Sequence, residues 1–415
     1  MKMPHPPQGP PEASLPAFHL LAKPTGAACN LNCAYCYYLG KRALYPDDDS
    51  TMSPKVLEQY IRQLIESHSG HRVEVSWQGG EPTLMGLDFY RHAMDLVERY
   101  RRPGMTVTHT IQTNGTMLDD DWAAFFKKHD FLVGISLDGP RELHDTYRVD
   151  NADRPTFAAV MRGLRLLQKH GVEHNVLTTV NRANASHPME VYRFLRDDAK
   201  ATWIQFIPVV ERIGEDGTPD PMGPRVSERS VQPDRFGRFL MEIYDEWVRR
   251  DVGRLFVQTF EATLRNWLNM SSSGMCVFNE TCGGGPVLEH NGDLYSCDHF
   301  VDPQHRLGNI GEVHMASLLG SPQQVSFGLD KARLPSRCME CEVLFACCGE
   351  CPKNRILPPG GEGPGVNYLC EGYKLFFHHT SFTMRLMAGL VRRGRPAQEV
   401  MQLLDQPLPG WNKVP

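Results

Sequence analysis

Along residues 18–210 short runs of β-branched and apolar residues alternate with stretches whose apolar positions recur every three or four residues. Runs of the first kind fit strands and stretches of the second kind fit amphipathic helices. The pattern predicts strands at 18–23 (FHLLAK), 73–77 (VEVSW), 106–113 (TVTHTIQT), 132–137 (LVGISL), 173–180 (EHNVLTTV) and 203–210 (WIQFIPVV). Helices are predicted between them at 54–67, 87–101, 119–129, 155–170 and 188–200. The first of these opens on Ser53-Pro54, a capping side chain followed by the one helical position that suits proline. Six strands separated by helices imply a parallel sheet of right-handed βαβ units. That is two units short of a full eight-stranded barrel, and the periodicity does not say whether the sheet closes.

Beyond residue 210 the pattern changes. Residues 211–234 are polar and rich in turn formers, and read either as a surface loop or as a segment beside the barrel's open end that helps to hold a ligand. A helix follows at 235–250, and 271–375 shows little helical periodicity and many glycines, as expected where metal ligation replaces a hydrophobic core. A last helix is predicted at 373–393. The expected organisation is a disordered tail over 1–16, a partial barrel over 17–234, a linking helical segment over 235–270, a cysteine-rich domain over 271–375, and a C-terminal helix and tail over 376–415.

Hydrophobic residues make up 41% of the 415 and charged residues 22%, which argues against wholesale disorder. A net charge of −5 gives no basic field to recruit nucleic acid. No apolar run is long enough to cross a membrane, and the proline-rich start, MKMPHPPQGPPEASLP, lacks the apolar stretch of a secretory signal. The expected location is therefore cytoplasmic. Cysteine departs from this ordinary picture. Of twelve cysteines, three lie at 29, 33 and 36, and nine between 276 and 370. A reducing compartment keeps thiols free of disulfides, and clustered cysteines there bind metal or carry redox chemistry.

The first group, Cys29-x3-Cys33-x2-Cys36, follows the first strand. Three thiolates can hold three irons of a four-iron cluster and leave the fourth iron open for chemistry, whereas a ferredoxin uses C-x2-C-x2-C and four ligands. A zinc site or three incidental buried thiols is the alternative. The later group runs Cys276-x5-Cys282-x14-Cys297, then Cys338-x2-Cys341-x5-Cys347, Cys348, Cys351 and Cys370. Nine is one more than two four-cysteine sites require, and two structural zinc sites are the alternative there.

With Tyr35 just before its last cysteine, the first group resembles the signature of the radical S-adenosylmethionine (SAM) superfamily. The resemblance implies a partial (β/α)6 barrel, a fold that the strand count supports independently. It also implies SAM chelated to the open iron and cleaved by a cluster electron to a 5′-deoxyadenosyl radical. By motif position it assigns Tyr35 to the cofactor loop, Gly79, Gly80 and Glu81 to the SAM amino group, Ser136 to its ribose and Arg148 to its carboxylate. Glycines there let backbone approach a ligand closely. Asn114 and Asp138 are neighbours that read equally well as turn residues.

The later cysteines resemble the SPASM extension of radical SAM peptide maturases, and within it the anaerobic sulfatase-maturating enzymes, over residues 18 to 375. That likeness implies three 4Fe–4S clusters: the SAM-binding one, a first auxiliary cluster on Cys276, Cys282, Cys297 and Cys351, and a second on Cys338, Cys341, Cys347 and Cys370. Cys348 has no slot and is expected to be a spare, buried thiol, although the Cys347-Cys348 pair leaves that choice open. With no vacant ligand, the auxiliary clusters suit electron relay.

The implied reaction is oxidation of a Cys or Ser in a sulfatase polypeptide to Cα-formylglycine, starting with abstraction of a β-hydrogen by the adenosyl radical. The target lies in a Cys/Ser-x-Pro-x-Arg segment, and a flavodoxin or ferredoxin supplies electrons. Asp298, directly after Cys297, is the expected base, and Tyr38 and Gln78 are expected to contact substrate. The alternative with shared chemistry is another SPASM peptide maturase that forms a thioether or carbon–carbon crosslink in a precursor peptide. Many of those carry an N-terminal recognition domain, for which the seventeen residues before the first strand leave little room. From another class, a non-catalytic electron carrier or a zinc-stabilised binding module remains open. The choice of Cys or Ser, the sulfatase and the oligomeric state are not legible.

Overall fold

The structure is a computed structural model that describes residues 18–45, 50–218, 220, 223–360 and 363–404. The tail expected over 1–16 and the end of the C-terminal tail lie outside the described residues. The strands are β1 (Leu21–Ala22), β2 (Arg72–Trp77), β3 (Thr106–Thr113), β4 (Phe131–Ser136), β5 (His174–Val180), β6 (Trp203–Pro208), β7 (Arg212–Ile213), β8 (Arg225–Val226), β9 (Phe256–Val257), β10 (Val287–Leu288), β11 (Asp293–Tyr295) and β12 (Arg306–Asn309).

Strands β1 to β6 lie side by side in chain order, all parallel. The sheet does not close on them. Its order is β12-β11-β10-β1-β2-β3-β4-β5-β6-β9, so the cysteine-rich region adds three strands beside β1 and the linking segment adds β9 beside β6. Neither addition was visible as periodicity, because strands of two to four residues are too short to show alternation. β1 is itself short because Pro24 follows Lys23 and has no N–H to donate to a ladder. The polar segment 211–234 contains the antiparallel hairpin β7–β8.

Local chemistry explains the helices. In Pro54–Ser67 the Ser53 hydroxyl accepts from Val56 N at 3.3 Å and proline stands in the first turn. In Asp120–Lys128 the Asp119 carboxylate accepts from Trp122 N at 2.9 Å. The predicted 188–200 helix is α-helical over Pro188–Arg193 and continues as a π-helical turn over Phe194–Asp198. The apolar faces meet in one large core, with Trp77 edge-on to Tyr60, Phe89 and Tyr90.

The helix Pro233–Arg250 packs along Cys370–Arg392, which begins at a cysteine and crosses the boundary expected after 375. The two backbones touch. A Cβ on Gly372 would stand 2.1 Å from the Pro233 carbonyl oxygen, and one on Gly237 would stand 2.6 Å from that of Gly372. Among the described residues no helix is long and apolar enough to cross a membrane.

Candidate active site

The loops after the strands' C-terminal ends carry the expected site. Cys29, Cys33 and Cys36 occupy one loop after β1, and their side chains join a small cluster with Leu31, Tyr35, Tyr147 and Val209. Cys33 is buried, while Cys29 and Cys36 are half-buried. Burial pushes the Cys29 and Cys33 thiols up to about 11. The Asn114 amide points at Cys29 Sγ from 3.8 Å and donates to Asn30 Oδ1 at 2.8 Å. Arg148, also facing Cys33, is gripped by Asp138 through Nε at 2.9 Å and Nη2 at 3.2 Å. Asp138 in addition accepts from the Tyr35 hydroxyl, from Thr179 N at 2.9 Å and from Thr179 Oγ1 at 2.8 Å. Asn114 and Asp138 are thus part of the cysteine loop's support, which their reading as turn residues understated.

The glycines of the Gly-Gly-Glu turn also answer a packing demand that the sequence does not show. A Cβ on Gly80 would lie 2.0 Å from the Ala28 carbonyl oxygen, and one on Gly79 would lie 2.9 Å from that of Gly26. The adjoining amides are used there too: Gly80 N donates to Gly26 O at 2.9 Å and Glu81 N to Ala28 O at 2.8 Å. The glycines therefore let the turn after β2 dock against the segment leading into the cysteine loop. The buried Glu81 carboxylate accepts from Thr83 N at 3.0 Å, Thr83 Oγ1 at 2.6 Å, Thr113 Oγ1 at 2.8 Å and Asn114 N at 2.7 Å, tying the ends of β2 and β3 together. Ser136, buried at the end of β4, accepts from Gln112 Nε2 at 3.1 Å. Half-buried Gln78 is anchored by its backbone, N to Ala22 O at 2.9 Å.

Asp298 is the centre of a second network. Its carboxylate takes Lys23 Nζ at 2.6 Å and the Tyr38 hydroxyl at 2.7 Å, and also accepts from the Tyr37 hydroxyl. Lys41 reaches its Oδ1 at 3.5 Å and donates to its backbone carbonyl. Lys23 also bonds Glu289 Oε1 at 2.9 Å. Strand pairing makes this possible: Ala22 of β1 stands opposite Leu288 of β10, so the next residues, Lys23 and Glu289, emerge together. Burial alone would push the Asp298 carboxyl up, yet the charges of Lys23 and then Lys41 hold it well below the usual carboxylate range. Burial pulls Lys41 down to about 8 against the Asp298 charge. Tyr38 and Asp298 were expected here. Lys23, Tyr37, Lys41 and Glu289 were not, and only the Tyr37-Tyr38 pair after Cys36 hinted at them.

The later cysteines separate into two sets. Cys297 has Cys276 and Cys282 as electrostatic neighbours, Cys351 has Cys276 and Cys297, and burial pushes Cys297 up to about 12. Cys338, Cys341, Cys347 and Cys370 line one cavity, between Arg337 and Lys374. Cys348 does not line it. It sits at the end of a short helix in left-handed geometry, φ 49°, ψ 30°, which turns its Sγ toward Phe345 O at 3.9 Å. It is half-buried rather than the buried thiol expected. Among the described residues no three His, Cys, Asp or Glu side chains converge as one metal ion requires. Four thiols around a cavity suit a four-iron cluster, and three on a loop suit one with an open iron.

A model of the radical SAM superfamily matches residues 24–195, and one of the SPASM iron–sulfur cluster-binding domain matches 282–342. The second match displaces zinc as the reading of the later cysteines. The chain is similar to the serine-type anaerobic sulfatase-maturating enzyme of Bacteroides thetaiotaomicron, 43% identical over 93% of this chain and 95% of that one. It is also similar to the cysteine-type enzyme of Clostridium novyi, 32% identical over 86% and 94%. The solved structure of anSMEcpe with AdoMet and the Cp18Cys peptide bound superimposes with a TM-score of 0.81 at 30% identity, over 90% of this chain and 99% of that one. SuiB of Streptococcus suis with its precursor peptide shares the fold, with a TM-score of 0.60 at 17% identity over 86% and 75%. With a radical SAM barrel, a SPASM domain and full-length likeness to both serine- and cysteine-type relatives, the chain belongs to the anaerobic sulfatase-maturating enzymes.

Proposed function

We propose that this enzyme oxidises a Cys or Ser, within a Cys/Ser-x-Pro-x-Arg segment of a sulfatase polypeptide, to Cα-formylglycine in the cytoplasm, with a flavodoxin or ferredoxin as electron donor. The observation that carries the reading is the bond between Tyr38 and Asp298. It joins the loop of Cys36 to the residue beside Cys297, and so links the loop of the SAM-binding cysteines to that of a first-set cysteine.

Cys29, Cys33 and Cys36 would hold the SAM-binding cluster, and the two sets of four the auxiliary clusters. When bound, SAM and its cluster would supply the radical chemistry needed to remove a hydrogen from the target β-carbon. The chain's own residues do the rest. The turn at Gly79, Gly80 and Glu81 presents backbone to the SAM amino group, with Tyr35 and Asp138 holding Arg148 toward its carboxylate and Ser136 placed for the ribose. Tyr38 and Gln78 orient the target residue in near-attack contact. Asp298, kept ionised by Lys23 and Lys41, is a proton-free acceptor for the target's thiol or hydroxyl proton, which must come within hydrogen-bond reach.

D298N tests the assignment. It keeps the shape and removes the acceptor charge, so the variant should still cleave SAM while formylglycine falls by about 10²-fold or more, the usual scale for a lost general base. Full formylglycine formation by D298N would exclude Asp298 as the base.

A further inference from the structure

Lys331 stands apart from the network around Asp298. It directly follows the helix Pro322–Asp330 and is fully buried. Its ammonium donates to the backbone carbonyls of Cys276 at 2.7 Å and Val277 at 2.9 Å, and to that of Asn279. An ammonium has three donors, and all three are spent on neutral carbonyls. Lysine is almost never fully buried unless paired with an anion. Here the direct partners are dipoles, with the buried Glu350 carboxyl as the charge it feels nearby, and the ammonium's field falls on Cys276 and Cys282.

The same helix grips the other half of the loop. Cys282 N donates to Gly328 O at 3.0 Å, and Gln324 Nε2 donates to Gly283 O at 2.9 Å. A Cβ on Gly328 would approach the Cys282 carbonyl oxygen to 2.9 Å, so the contact depends on glycine. Three other charged groups lie nearby, of which Lys353 faces Cys351 and Cys297 of the first set. Arg355 donates to Lys331 O at 2.8 Å and faces cysteines of both sets, and buried Glu350, bonded by Asn354 and Asn367, also faces both. Among the proposed cluster ligands, Lys331 bonds the backbone of Cys276 and acts on the thiols of Cys276 and Cys282, both of the first set.

We propose that Lys331 is a positioning residue that fixes the Cys276–Cys282 loop and raises the reduction potential of the first auxiliary cluster relative to the second. The inference rests on the ligand sets assigned above. Reduction adds negative charge to a cluster, and a fixed cation held against the backbone of one of its ligands would stabilise that state in a low-dielectric interior. Cys297, a proposed ligand of the first auxiliary cluster, adjoins Asp298, so that cluster would be the nearer acceptor by position, and a higher potential there would favour its keeping the substrate's electron.

The test is a redox titration of the reconstituted, full-length holoenzyme, followed by electron paramagnetic resonance with SAM present to displace the signal of its own cluster. Wild type, K331Q, K331M and K331R are compared at measured iron content. Two auxiliary midpoints in wild type are the condition for the ligand sets; their absence would fail those sets and not Lys331. Given that, K331Q or K331M should move one midpoint negative by about tenfold in the reduced-to-oxidised ratio, about 59 mV for one electron. The other midpoint should stay in place, and K331R should lie near wild type. Unmoved midpoints in an iron-replete neutral variant overturn the proposal, as does an equal shift in both. If neither neutral variant keeps its iron, K331R decides: a wild-type midpoint supports the role of charge, and a negative shift overturns it.

Discussion

At Asp298 one carboxylate takes two cations and two phenols, almost out of reach of water. Lys23 is the member on which the others depend, since it pairs with both Asp298 and Glu289 while 1% exposed. Removing one partner of a buried pair strands the other, at about 3–5 kcal/mol. K23M should therefore lower unfolding stability by about that amount at neutral pH, and adding E289Q should return part of it, because the double variant strands one fewer charge. The pH dependence has a definite sign. The depressed carboxyl of Asp298 contributes stability above the unfolded carboxylate pKa of about 3.9 and loses it as pH falls through the folded value. The gap between K23M and wild type should be full at pH 7 and shrink in strong acid. Denaturant unfolding at both pH values, at matched iron content, measures it; equal stability of K23M and wild type at pH 7 would contradict the pairing.

Between elements, the decisive contacts are backbone on backbone. Gly80 admits Ala28, and Gly372 admits Pro233. The second bears directly on the chemistry, because Gly372 lies two residues into the helix that begins with Cys370. Pro233–Arg250 fixes that helix, and the helix fixes the cysteine. In G372A a Cβ is forced against the Pro233 carbonyl, and relief requires the helix to move. Overpacking of this kind costs about 1–3 kcal/mol. The specific expectation is loss of the second auxiliary cluster alone, about four irons per chain from about twelve if three four-iron clusters are present. Iron and sulfide analysis of reconstituted G372A decides it, and full iron content would show that the helix contact does not position Cys370.

Across the whole molecule, what the sequence makes legible is whatever is local. β2 to β6 and the helices between them follow from periodicity, and the cysteine spacings mark the cluster loops in advance. The turn at Gly79-Gly80 is visible as a turn, but the carbonyls that demand glycine there belong to residues 26–28, fifty residues away in the chain. Lys23 and Glu289 are invisible as a pair because nothing local announces that β10 will run beside β1. Cys347 and Cys348 are separated only by the left-handed turn between them. The extended sheet is what unites these parts, carrying the SPASM strands on the edge of the barrel so that Asp298 meets Tyr38. Formylglycine formation beside this junction is the activity proposed for the chain. The most direct measurement is anaerobic incubation of the cluster-replete enzyme with SAM, a reductant and paired Cys- and Ser-containing sulfatase peptides, read by mass spectrometry. An aldehyde should appear at the target position of at least one peptide, together with 5′-deoxyadenosine. Deoxyadenosine without aldehyde in either peptide would contradict that activity.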